Sequence, residues 1–124
     1  MRLIFLLIFS IFFFAACAPT LTPSDSGVDG AVTIGPMCPV VQVGNPCPNK
    51  PYQAEISVLS SSGRTEVLQL RTNADGLFHQ VLAPGVYILH PLSPGAMPHS
   101  ADIPFVVQPH SFTHVEVIYD SGIR

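Results

Sequence analysis

The chain contains no tryptophan, a single lysine and few charges of either sign: charged residues make up 10% of its 124 positions. So little charge excludes a long solvated helix, a coiled coil or an acidic tail. Five Lys+Arg against eight Asp+Glu leave a formal net charge of −3, with no basic stripe. Nucleic-acid binding, which needs such a stripe, is therefore not expected. Beyond residue 16 there is no long apolar run and no 3.6-residue periodicity, and 13 prolines punctuate the chain. The hydrophobic fraction is nevertheless 48%, too high for wholesale disorder. The length suits one domain at most.

Met1-Arg2 opens a run from Leu3 to Phe14 that is apolar apart from Ser10, followed by Ala15-Ala16-Cys17. A basic start, a short apolar stretch and small residues before a cut are the parts of a secretory signal. About twelve apolar residues rise only ~18 Å as a helix, short of the ~30 Å hydrocarbon core, so a permanent span is the weaker reading. The string Phe14-Ala15-Ala16-Cys17 resembles a bacterial lipoprotein box. That resemblance implies cleavage before Cys17, a diacylglyceryl group on its thiol and acylation of the new amino terminus. Ordinary secretion, with Cys17 incidental, is the alternative. The expected site is the extracytoplasmic face of a bacterial membrane, inner or outer. Removing residues 1–16 leaves 108 residues with a charge of 4 − 8 = −4, because Arg2 leaves with the signal. The Pro/Ser/Thr-rich stretch 18–27 then reads as a tether. The expected organisation is a signal at 1–16, a tether at 17–27 and a folded domain at 28–124.

With Cys17 assigned to lipid, Cys38 and Cys47 form an even pair in an oxidising compartment, each followed by proline. A disulfide closing this loop contributes roughly 2.5–3 kcal/mol in the chain-entropy description. A metal site would need further ligands close by, and the nearest histidine is His79. A redox pair would favour CxxC at a helix start, which is absent.

Strict alternation of apolar and polar residues marks seven strands, at 28–34, 52–59, 64–72, 77–82, 86–92, 103–108 and 113–120. The inward sets are Val28, Gly30, Val32, Ile34; Tyr52, Ala54, Ile56, Val58; Leu68, Leu70; Tyr87, Leu89; and Val115, Val117, Tyr119. Pro104 places its strand at a sheet edge, since proline cannot donate to a ladder. Turns at 73–76 and 83–85 separate the middle strands. Seven short strands in about this length predict an all-β fold, a seven-stranded antiparallel sandwich.

The strings TNADGLF at 72–78 and LAPGVYIL at 82–89, with Gly30-Ala31-Val32, resemble the signature of carboxypeptidase regulatory-like domains. These are prealbumin-like (transthyretin-like) seven-stranded sandwiches. The segments GPMCPVV and NPCPNKPY and the terminal YDSGIR further resemble small bacterial envelope proteins built on that domain. The resemblance implies that Asp75-Gly76 and Pro84-Gly85 each close a hairpin, while Phe78, Leu82 and Tyr87 fill the core. Gln80 stands where the pattern carries an apolar residue, so it must be solvated or satisfy a backbone group.

For catalysis the sequence offers little: no G-x-S-x-G elbow exists, and both domain cysteines are committed to the disulfide. His110 and His114 lie ~13 Å apart along a strand, too far to share a metal. His79 and His90 flank the 83–85 turn and would be cross-strand neighbours if it closes a hairpin. They could then hold zinc or copper with help from Met97 or His99, although two solvated histidines are the preferred expectation. An intramolecular isopeptide bond would need a lysine beside Asn or Asp and a buried acid; the only lysine is Lys50, and the last strand has no Asn. Tyr52, Phe78, Tyr87, Phe105, Phe112 and Tyr119 are assigned to packing, Phe112 least firmly. The functional expectation is a non-enzymatic, lipid-anchored envelope module without cofactor, meeting a protein partner through its sheet edges and loops 35–51 and 93–101. The alternative is an accessory protein binding a small ligand or transition metal.

Overall fold

The structure, a computed structural model, describes residues 25–40 and 42–124. The expected signal, Cys17 and most of the tether lie outside the described residues. Eight strands run β1 (Gly27–Gly35), β2 (Lys50–Pro51), β3 (Glu55–Ser60), β4 (Glu66–Arg71), β5 (Leu77–Val81), β6 (Gly85–Pro91), β7 (Ile103–Val107) and β8 (Phe112–Asp120). They form two four-stranded sheets. In one, β1 pairs with β5 and β2 along one side and β8 along the other. In the second, the order is β4-β3-β6-β7. The all-β sandwich predicted by the alternation is the observed fold. Every pairing between strands is antiparallel except β1 with β8, which is parallel over all nine residues of each.

The predicted inward residues supply the core. Val28, Val32, Ile56, Val58, Leu89, Val117 and Tyr119 are buried, joined by Leu70, Phe78, Leu82, Phe105, Val107 and Val115. Burying one such aliphatic or aromatic side chain stabilises the fold by about 1.5–3 kcal/mol, so the period-2 pattern fixes which face of each strand turns inward. Ser57 departs from its expected outward, solvated place. It is buried because β3 is flanked by both β4 and β6, and its Oγ donates to Glu66 Oε1 at 2.7 Å. Gln80 is half-buried, and its Nε2 donates to the Val81 carbonyl at 3.1 Å. Pro104 lies on β7, an edge strand that pairs only with β6.

Two expected hairpins are not hairpins. The 73–76 turn carries the chain from β4, in one sheet, to β5, in the other, and the 83–85 turn carries it back from β5 to β6. Turn chemistry fixes a reversal of direction but not the ladder that the next strand joins. Here the crossover is held by its own polar groups. The Asn73 carboxamide oxygen accepts the Asp75 and Leu77 amides, and the buried Thr72 hydroxyl accepts the Ala54 amide at 2.9 Å. The Gly76 carbonyl then accepts the Val32 amide at 2.7 Å, which ties the turn to β1. Gly76 has φ +73°, and a Cβ there would sit 2.2 Å from the Val32 carbonyl oxygen. The strand expected at 52–59 starts later, as β3 (Glu55–Ser60), and the chain just before it contributes the short β2 (Lys50–Pro51) to the other sheet.

Order begins before Val28. Ser26 is fully buried, donates from Oγ to the Leu82 carbonyl at 2.7 Å and accepts the Leu82 amide on its own carbonyl. One consequence of the parallel ladder is testable at Gly30, where a Cβ would fall 1.9 Å from the Val115 carbonyl oxygen and 2.8 Å from the Phe78 ring. Gly30→Ala must push β8 or Phe78 aside, and urea titration is expected to show a loss of about 1–3 kcal/mol. An unchanged midpoint would contradict the close approach of β1 and β8.

Candidate functional site

Histidines and acids lie mostly on the outer surfaces. On the sheet that contains β1, His79, Asp29 and His114 stand in register across β5, β1 and β8. The His114 ring donates from Nδ1 to Asp29 Oδ1 at 3.0 Å and from Nε2 to Glu116 Oε1 at 2.7 Å. Ionised carboxylates only accept, so the two bonds together favour the doubly protonated ring. The Glu116 bond first and the Asp29 bond second raise the His114 pKa above 6.5. Beside this row, His79 stacks on Phe112, with ring centroids 4.3 Å apart. Phe112 crosses over Gly27 to reach it; a Cβ on Gly27 would sit 2.8 Å from the Phe112 ring. Asp29, Asn73, Leu77, His79 and His114 line a recess of about 410 Å³.

The remaining histidines are separate from this row. His90 is on the other sheet, where its Nδ1 donates to Asp102 Oδ1 at 2.6 Å. His110, in the β7–β8 turn with φ +57°, pairs with Asp25, and that bond raises its pKa. His99 exchanges backbone hydrogen bonds with Asp120. The proposed cross-strand pair of His79 and His90 is therefore overturned: their strands belong to different sheets, because the turn between them crosses the sandwich. Among the described residues no group of three or more His, Cys, Asp or Glu side chains is arranged to hold a metal ion. Lys50 is exposed on β2 opposite Ile34, without the buried surroundings that an isopeptide bond requires.

A second recess, of about 430 Å³, lies at the far end of the sandwich. It is lined by Tyr52, Gln53, Glu55, Arg71, Leu92 and Ser93. Arg71 reaches Glu55 at 3.8 Å, a solvent-exposed pair of little energetic weight. Behind it, Tyr119 donates to the Leu92 carbonyl at 2.8 Å and packs on Tyr52 at 4.8 Å between centroids. Burial, and then the neighbouring Tyr52, push the Tyr119 hydroxyl up to about 12. The same end carries the 36–49 loop, where Cys38 and Cys47 form the expected disulfide, with Cα atoms 6.1 Å apart. Val40 and Val43 in this loop are 71% and 107% exposed. The sequence reading missed this pairing of a stapled backbone with outward valines, although the valines between two Cys-Pro steps were its only available signal.

The ion pairs set a pH dependence. His110 and His114 have folded values above 6.5, so their stabilisation is complete below 6.5 and is lost as pH rises through the raised values. Asp120 acts in the opposite direction: Arg124 first, then the Gly122 amide, hold it at about 2, so its contribution disappears as pH falls from 3.8 through that value. Denaturant midpoints should therefore decline on the alkaline side of 6.5, and His110→Asn with His114→Asn should flatten that decline. NMR midpoints of both rings at or below 6.5 would contradict the pairing. Separately, Cys38→Ser with Cys47→Ser should lower stability by about 2.7 kcal/mol from the released loop alone, read by urea unfolding.

Comparison with protein-family models and with curated protein sequences finds no match to this chain. Among solved structures it is similar to the crystal structure of a point mutant of the shaft pilin SpaA from Lactobacillus rhamnosus GG. The TM-score is 0.53 at 15% identity, covering 80% of this chain and 51% of the pilin chain. The likeness is one of fold: this β-sandwich spans about half the length of that pilin chain.

Proposed function

We propose that this chain is a lipid-anchored, non-enzymatic module of the bacterial cell envelope, built on a carboxypeptidase regulatory-like sandwich and working by contact with another protein. The observation that carries the reading is a division of the surface. Polar chemistry is largely spent within the molecule: His90 on Asp102, His110 on Asp25, His114 on Asp29 and Glu116, Arg124 on Asp120. Large apolar side chains are left outward instead, Val43 most of all. Exposed apolar groups on a rigid, cross-linked loop favour a protein contact over a reaction.

The direction of β1 adds to this. The chain enters at Asp25, and β1 then rises over nine residues, roughly 30 Å, before the stapled loop begins. A lipid on Cys17 would hold the Asp25 end near the membrane and present Val40, Val43 and the 93–101 loop away from it. Likeness in fold to a structure titled a shaft pilin agrees with this reading.

The test uses the full chain in a bacterial host fed an alkyne fatty acid. The mature protein should carry the label, and Cys17→Ser should remove it and leave an uncleaved leader. A photo-crosslinking residue at Val43 should capture one reproducible envelope protein, and one at Ser62, at the opposite end, should not. An unlabelled, soluble wild-type product would overturn the anchor; equal capture from both positions would overturn the contact surface.

A further inference from the structure

Strand β8 is the outer strand of its sheet, and its backbone divides by parity. The Ser111 carbonyl accepts the Gly27 amide and the Ser121 amide donates to the Gly35 carbonyl, so odd-numbered residues face β1. Even-numbered residues turn their N–H and C=O groups away from it. At the upper end this outward pair is used, because Asp120 exchanges both hydrogen bonds with His99. At the lower end the Thr113 hydroxyl donates to the Val106 carbonyl on β7. Between these two closures, the outward groups of His114, Glu116 and Ile118 have no backbone partner among the described residues. All three side chains are exposed, with Ile118 at 58%. An open edge of this length is a template for another strand.

The order of side chains along the edge selects the strand that fits. In antiparallel pairing, outward residues face outward residues, ~5.5 Å apart between Cα atoms. A two-fold axis at Glu116 would set two carboxylates together, and one at His114 would set two imidazole rings together. An axis at Val115 avoids both. It places His114 against Glu116 of the second copy, Glu116 against its His114, and Phe112 against its Ile118 on each side. The paired stretch ends where the His99–Asp120 bridge closes one strand and the turn bearing His110 ends the other. We infer that the free edge of β8 is the docking surface for a second copy of this chain, joined antiparallel over residues 112–118 with Val115 on the two-fold axis. This goes beyond the proposed function and does not depend on the lipid.

The full mature protein, in density-matched detergent, should show a concentration-dependent dimer by sedimentation equilibrium. His114→Glu sets carboxylates opposite each other twice, and Glu116→Lys replaces the acceptor at both crossings with a second cationic donor facing His114; each alone should weaken the dimer about tenfold or more. An equimolar mixture of the two variants pairs Glu with Lys at one crossing and Glu with His at the other, so it should recover association close to that of the unsubstituted protein. Recovery also demonstrates that both variants are folded. Amide exchange at His114, Glu116 and Ile118 should slow as protein concentration rises. A monomer at every concentration, a dimer indifferent to both substitutions, or a mixture no stronger than its components would overturn the inference.

Discussion

A ladder between the first and last strands closes the sandwich. Along nine residues of β1 and nine of β8 the backbones run side by side in the same direction, and glycine at 27 and 30 lets them and the neighbouring rings come within contact distance. Almost everything else leans on β1. It receives β5 and β2 on its other side, takes the Gly76 carbonyl from the crossover turn, and contributes Val28 and Val32 to the centre of the core. The outer row of His79, Asp29 and His114 exists because β1 stands between β5 and β8.

The parts of this arrangement that were legible in the sequence are those governed by local chemistry. Alternation at Ile56, Val58, Val115, Val117 and Tyr119 identified strand and buried face together, because a side-chain period of two is a property of the strand itself. Pro104 identified an edge from its missing donor, and two cysteines each followed by proline identified the staple. What was not legible is the partner of each strand. Asn73-Ala74-Asp75-Gly76 has the composition of a hairpin turn yet spans two sheets, since its Gly76 carbonyl meets Val32, more than forty residues away in the chain. The error at His79 and His90 follows directly: the reversal was correctly placed, and the sheet assignment behind it was not. Ser57 shows the same limit from another side, because only its position in the middle of a sheet makes a serine buried.

The surface separates two kinds of chemistry. Carboxylates are paired with the imidazoles of His110 and His114 towards the start of β8 and with the Arg124 guanidinium at its end, so they stabilise local geometry and tune it with pH. The two most exposed of the large apolar side chains, Val40 and Val43, lie in the disulfide loop at the end opposite the chain's entry. The length of β1 separates the entry of the chain from these valines.

The closing ladder also bears on the order in which the fold can form. Asp29 and His114 are 85 positions apart, and β8 follows the other seven described strands in the chain. A chain emerging from its amino end leaves β1 without its longest neighbour until β8 follows. Contacts of such long sequence separation form slowly. Closure of the sandwich is thereby held back until β8 is available, and a partial chain lacks the ladder that completes the fold.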